Sequence, residues 1–153
     1  MFSSLPGLWT DRPFARVSPP VIVLIIDDDG DGAEALAAVL EMEGFRTVVA
    51  HGGPPAFEVA AAWTPHVVIV DIEMPDCDGF AVAAAMRGVG RFRNTPIIAF
   101  TSLAEADVIE RGKDAQIDAF CRKGSPIRPL LKLIEHVAPV SGPSDRPDNG
   151  LRY

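Results

Sequence analysis

The chain has 153 residues, 48% hydrophobic and 23% charged, which is enough for one globular domain with a substantial core. Its net charge of −7 argues against general nucleic-acid binding, which needs Lys and Arg against phosphate. Cys77 and Cys121 form neither a disulfide framework nor a zinc spacing, and no wholly apolar run, 21–26 included, approaches the roughly 20 residues of a membrane helix.

Proline crowds both ends of the sequence: Pro6, Pro13, Pro19 and Pro20 at one, Pro139, Pro143 and Pro147 at the other. Segments 1–20 and 139–153 are therefore expected to be largely irregular, the second disordered. Phe2, Leu5, Leu8, Trp9 and Phe14 leave the first an alternative, docking on the domain or on a partner. It lacks the basic start and long apolar stretch of a secretory signal, so with two free thiols a cytoplasmic location is expected.

Residues 21–138 alternate two hydrophobic periods. The apolar, mostly β-branched run 21–26 predicts a strand buried on both faces. Ala35, Leu36, Val39, Leu40 and Met42 have helical spacing, and Gly44 ends that helix. A strand over 45–50, a Gly-Gly-Pro-Pro turn at 52–55 and an Ala-rich helix over 56–63 follow. Next come a strand over 66–70, a helix over 80–86 and a strand over 96–100. Ser102 and Glu105 read as a capping box for a helix reaching about Arg111. A fifth strand is expected over 116–120, and Ser125–Pro126 opens a last helix ending near Val137, its true start pushed later by Pro129. Five strands alternating with five helices imply a parallel α/β sheet, open and doubly wound, with right-handed crossovers. Such sheets carry their sites beyond the carboxyl ends of the strands.

Those ends are rich in acids. Asp27, Asp28, Asp29 and Asp31 follow the first strand, and Asp71, Glu73, Asp76 and Asp78 follow the third. Thr101 and Ser102 follow the fourth, Arg122 and Lys123 the fifth. Clustered carboxylates raise one another's pKa unless a cation intervenes, and a hard ion such as Mg²⁺ resolves the repulsion with oxygen ligands. A Lys charge and a Thr hydroxyl complete the parts needed for phosphoryl transfer onto a carboxylate.

The stretches VIVLIIDDD (21–29), VVIVDIEMPDCDG (67–79), PIIAFTS (96–102) and FCRK (120–123) together resemble the receiver domain of two-component response regulators, of the single-domain, chemotaxis-regulator type. The resemblance covers 21–138 and includes the intervals of 30 residues from Asp71 to Thr101 and 22 from there to Lys123. It implies a flavodoxin-like sheet of order 2-1-3-4-5. It implies that Asp71 accepts a phosphoryl group from a histidine kinase or phosphotransfer protein. Mg²⁺ would be held by Asp28 and Asp71 directly, by Asp27 through water and by the backbone carbonyl of Glu73. Lys123 would pair with the phosphoryl oxygens, Thr101 would hydrogen-bond to them and move, and Phe120 would be the aromatic switch. Output would pass through the face of helix four, strand five and helix five to a downstream protein, with neither nucleic acid nor membrane engaged. With 15 residues after 138, a stand-alone receiver is expected, catalysing only its own phosphorylation and dephosphorylation.

Three positions depart from the family pattern. Lys123 is followed by Gly124 rather than proline, so a trans bond is expected there. Glu73 brings an extra acid near the acceptor, either repelling a phosphoryl group or pairing with Lys123. Phe120 lacks a phenol hydroxyl. Other readings are weaker. A calcium loop would use Asp27, Asp29, Asp31 and Gly32 but meets Ala38 where it needs Glu, so Asp29 and Asp31 are better read as caps of the first helix. A pseudo-receiver interaction module and a metal-dependent phosphohydrolase are the alternative functions. His51, His66, His136, Cys77, Cys121, Trp63 and the Arg91–Phe92–Arg93 patch read as surface or packing residues.

Overall fold

Along Ile22–Ile26 (β1) successive side chains point to opposite faces, and both faces are buried. Leu24 and Ile26 enter one core, Val23 and Ile25 the other. The computed structural model describes residues 5–141, so the expected disorder beyond 141 and the apolar Phe2 lie outside the described residues. The other elements are α1 (Gly30–Met42), β2 (Arg46–Ala50), α2 (Gly53–Trp63), β3 (Val67–Val70), α3 (Gly79–Arg87), a 3-10 turn (Gly90–Phe92), β4 (Ile97–Thr101), α4 (Glu105–Asp114), β5 (Ala119–Arg122) and α5 (Ile127–Val137). All strand pairs are parallel and the order is β2-β1-β3-β4-β5.

One core joins Leu24, Ile26, Val68, Val70, Ile97 and Ala99 to Ala56 and Ala60 of α2, Phe80 and Met86 of α3 and Val108 of α4. The other joins Val23, Ile25, Val67, Ile69 and Ile98 to Leu36 and Leu40 of α1 and Leu130, Leu133 and Ile134 of α5. Each large aliphatic side chain so enclosed contributes about 1.5–3 kcal/mol of burial free energy. Cys121 belongs to the second core, where burial raises its thiol pKa. Trp63 instead is 42% exposed, and its ring is covered on one side by the Arg46 guanidinium at 5.5 Å.

Several boundaries differ from expectation for identifiable reasons. Pro54 and Pro55 lie in the first turn of α2, where a missing N–H is no loss. The Ser102–Glu105 capping box does not form. Extended Ala104 is the N-cap of α4, and the Ser102 hydroxyl donates to Glu73 Oε1 at 3.0 Å instead. Strand β5 starts three residues later than expected because Gln116 has φ 60°, left-handed rather than extended. Asp29 does cap α1, accepting from Gly32 N, whereas Asp31 sits within its first turn. Ile127 opens α5, so Pro129 falls harmlessly in its first turn.

Residues 5–20 hold no helix or strand, yet they lie along the domain. Leu8 bridges Ala119 in antiparallel fashion, and Val17 bridges Val140 in parallel. Phe120 N donates to Gly7 O at 2.8 Å and Trp9 N to Asp118 O at 2.7 Å, so this segment covers the outer edge of β5. Beneath it, Asp118 is 3% exposed and holds Arg12 (2.8 Å), Arg87 (3.0 Å) and the N–H of Ile97 (2.9 Å). Burial pushes the Arg87 pKa down, the facing Asp118 carboxylate opposes that, and the guanidinium also caps the carbonyls of Phe92, Arg93, Thr95 and Gln116.

Candidate functional site

Strand register levels the carboxyl edge of the sheet. Ile26 pairs with Val70, Val70 with Ala99, and Thr101 with Arg122. Adjacent strands lie about 4.8 Å apart, so the residues that follow them converge. Asp27 and Asp28 leave β1, Asp71 leaves β3, Thr101 closes β4 and Lys123 leaves β5. Lys123 N donates to Thr101 O at 2.8 Å, tying the last two exits together.

Asp27, Asp71 and Thr101 are buried, while Asp28 is exposed. Carboxylate oxygens of Asp27, Asp28 and Asp71 lie within 4.8 Å of one another. The Lys123 ammonium stands 2.9 Å from Asp27 Oδ2 and 3.5 Å from Asp71 Oδ2, so the two buried carboxylates share one cation, with Asp28 close beside them. Asp27 Oδ1 also accepts from Asp29 N at 2.9 Å. Asp71 Oδ1 has only a long contact from Glu73 N, at 3.3 Å. Of the two buried acids, Asp71 is therefore the less firmly held.

Electrostatics separate them further. Burial lifts the Asp71 carboxyl to about 6, and the Asp27 charge adds to that rise. The Lys123 ammonium and the Glu73 N–H oppose it. Burial also works against the Lys123 ammonium, but its hydrogen bond to Asp27 and the charges of Asp71 and Asp27 outweigh this and raise its pKa. At neutral pH the arrangement is an ionised, under-coordinated carboxylate beside a fixed positive charge. Such a group has the parts of a nucleophile: a loosely held carboxylate with a cation at hand.

The sequence-predicted residues converge with two exceptions. The Glu73 side chain pairs with Ser102 Oγ rather than with Lys123, and it stays out of the carboxylate cluster. Phe120 is buried on β5 and stacks on Trp9, with centroids 5.6 Å apart and planes 11° from parallel. Thr101 Oγ1 accepts from Leu103 N at 3.3 Å. The Lys123–Gly124 bond is trans, since Pro19–Pro20 is the one cis bond among the described residues. His66 has a backbone role: its Nδ1 accepts from Ile22 N, and burial lowers its pKa. Sequence reasoning placed Ser102 and Arg122 at strand ends but missed their roles here: the Ser102 hydroxyl holds Glu73, and Arg122 Nε donates to Ser102 O at 3.0 Å. An exposed Ser and Arg gave no periodic signal.

The donor set suits a hard divalent cation. It offers several carboxylate oxygens within a few ångströms, one acid open to solvent, and neither sulfur nor imidazole among the three.

Comparison with known proteins agrees with this fold. A family model described as the response regulator receiver domain matches residues 23–135. The chain is 34% identical over 132 residues to the transcriptional regulatory protein PdtaR of Mycobacterium tuberculosis, covering 86% of this chain and 62% of that protein. It is 28% identical over 130 residues to response regulator MprA of a Mycobacterium species, covering 85% of this chain and 56% of that one. The chain thus spans little more than half the length of these curated relatives. Among solved structures, Vibrio cholerae chemotaxis protein CheY4 superposes with a TM-score of 0.73 at 26% identity, covering 76% of this chain and 98% of that one. The signal receiver domain of a Syntrophus aciditrophicus histidine kinase gives 0.70 at 26%, covering 87% and 99%.

Proposed function

Because the chain belongs to the response regulator receiver domain family, we propose that Asp71 is its phosphoryl acceptor, loaded by a histidine kinase or phosphotransfer protein in two-component signalling. One observation carries this reading: Asp71 is a buried but weakly held carboxylate, with Asp27, Asp28 and the Lys123 ammonium all close to it. An Asp71 oxygen attacks the phosphorus of a phosphohistidine. The new O–P bond forms as the P–N bond breaks, and the imidazole leaves with its electron pair. Lys123 exchanges part of its contact with Asp27 for the phosphoryl oxygens. The Thr101 hydroxyl, free to rotate, donates to another of them.

Asp28, Asp71 and the backbone carbonyl of Glu73 would hold Mg²⁺, with Asp27 acting through water. When bound, the ion neutralises charge on the transferring oxygens. Asp27 keeps Lys123 oriented, and the low exposure of Asp71 limits attack by bulk water. Ser102 holds the Glu73 carboxylate away from the acceptor, which spares the phosphoryl group a second facing charge. Output passes through protein contact at the α4–β5–α5 face.

Intact mass after incubation with acetyl phosphate tests the reading. Wild type with Mg²⁺ gains one phosphoryl group, while Asp71→Asn and metal-chelated wild type gain none. A wild type that neither gains mass nor binds beryllofluoride would sink the proposal.

A further inference from the structure

The segment that covers β5 is fastened to the two elements that emerge from the phosphoryl-acceptor site. Trp9 stacks on Phe120, three residues before Lys123 on β5. Its indole N–H donates to Glu105 Oε2 at 2.8 Å, at the first residue of α4. Only residues 102–104 separate Glu105 from Thr101. The indole also lies on Gly112 of α4, so closely that a Cβ there would collide with Trp9 Cζ3. Gly7 has φ +86°, and a Cβ on it would collide with Phe120 O. Both glycines are thus shaped to the docked segment. Arg12 completes the clamp through the buried Asp118.

We propose that residues 7–12 are an intramolecular clamp over the α4–β5 surface, released when the Asp71 site is occupied. The proposal rests on the reading of Asp71 as phosphoryl acceptor. In the structure, Thr101 Oγ1 is engaged by Leu103 N and Lys123 Nζ by Asp27. Turning both toward a phosphoryl group on Asp71 pulls the 101–104 connector and the end of β5. Those are the two walls of the Trp9 seat. Stacking and a hydrogen bond to an exposed carboxylate are sensitive to shifts of an ångström. The clamp therefore hides the α4–β5 surface in the unloaded state and exposes it, together with an open strand edge, in the loaded one.

Hydrogen exchange of the full chain, with and without Mg²⁺ and beryllofluoride, reads both sites at once. The expected result is protection of the Glu73 amide, with loss of protection at the Trp9 and Phe120 amides by about tenfold or more. Protection at Glu73 with unchanged exchange at Trp9 and Phe120 would overturn the clamp and leave the acceptor reading intact. No change at any of the three would overturn both. Gly112→Ala supplies an independent arm, since it favours the helix while pushing Trp9 out. Linkage is reciprocal, so this variant should bind beryllofluoride tighter by the factor by which the analogue loosens the clamp. Unaltered affinity in a variant whose Trp9 amide already exchanges freely would also refute the coupling.

Discussion

At the amino ends of β4 and β5, Asp118 faces two guanidiniums and a backbone N–H. At the carboxyl ends of the same sheet, Asp27, Asp28 and Asp71 cluster, and one ammonium serves Asp27 and Asp71. Both regions bury carboxylates next to strands, and they differ in charge balance. The first has a surplus of donors and every acceptor filled, so it fixes structure. The second has a surplus of negative charge and one loosely held acid, so it has room for an incoming group and a cation. On the proposed reading, the buried carboxylate with too few partners is the reactive one and the one with partners in excess is scaffolding.

That contrast can be broken or sharpened by substitution. The largest effect is expected for Asp118→Ala, which leaves Arg87 buried among carbonyls without its counter-charge and unfastens Arg12. A loss of about 3–5 kcal/mol, read from the urea midpoint, is expected. A loss below about 1 kcal/mol would mean the cluster is not structural. At the other end, Lys123→Met leaves Asp27 and Asp71 without their cation, beside Asp28. It should cost about 1–3 kcal/mol in chelator, with part of the loss recovered on adding Mg²⁺. An absence of recovery would argue against a cation site at Asp27, Asp28 and Asp71. The smallest effect carries the opposite sign. The folded-state pKa of Asp71 is raised to about 6, so its ionised form opposes folding at neutral pH, and stability rises as pH falls through that value. Asp71→Asn should therefore raise stability without metal, on the order of 1 kcal/mol, and flatten that pH dependence. Destabilisation instead would place Asp71 with Asp118 as a structural ion.

Much of the site was legible in the sequence because its chemistry is local. Asp27, Asp71, Thr101 and Lys123 each sit at the end of a short apolar run, and a parallel sheet brings such ends together whatever the details of packing. Two kinds of feature escaped. One was competition for a polar group: Ser102 looked like a helix cap, but Glu73, distant in sequence, takes its hydroxyl. The other was the place of docking: the apolar residues of the first segment offered docking on the domain as an alternative, but not where. The irregular segment with Trp9 and Arg12 shows no periodicity, and its seat is formed by Glu105, Gly112, Asp118 and Phe120, far from it in the chain. The late start of β5 belongs with these. A strand was expected from 116, but the left-handed Gln116 and the engaged Asp118 carboxylate delay it until Ala119.

The pairing of Val17 with Val140 has a consequence for competition at the Trp9 seat. Val17 N donates to Pro139 O at 2.8 Å, and Ser141 N donates to Val17 O at 3.1 Å, which pins the far end of the clamp to the chain just beyond α5. A detached Trp9 stays on a leash of eight residues, roughly 28 Å at full stretch. Within that radius its local concentration at its own seat is on the order of 10 mM. A soluble segment offering the same contacts would have to reach that concentration to compete on equal terms, so a partner of this surface must bring further contacts or arrive after the seat has changed shape.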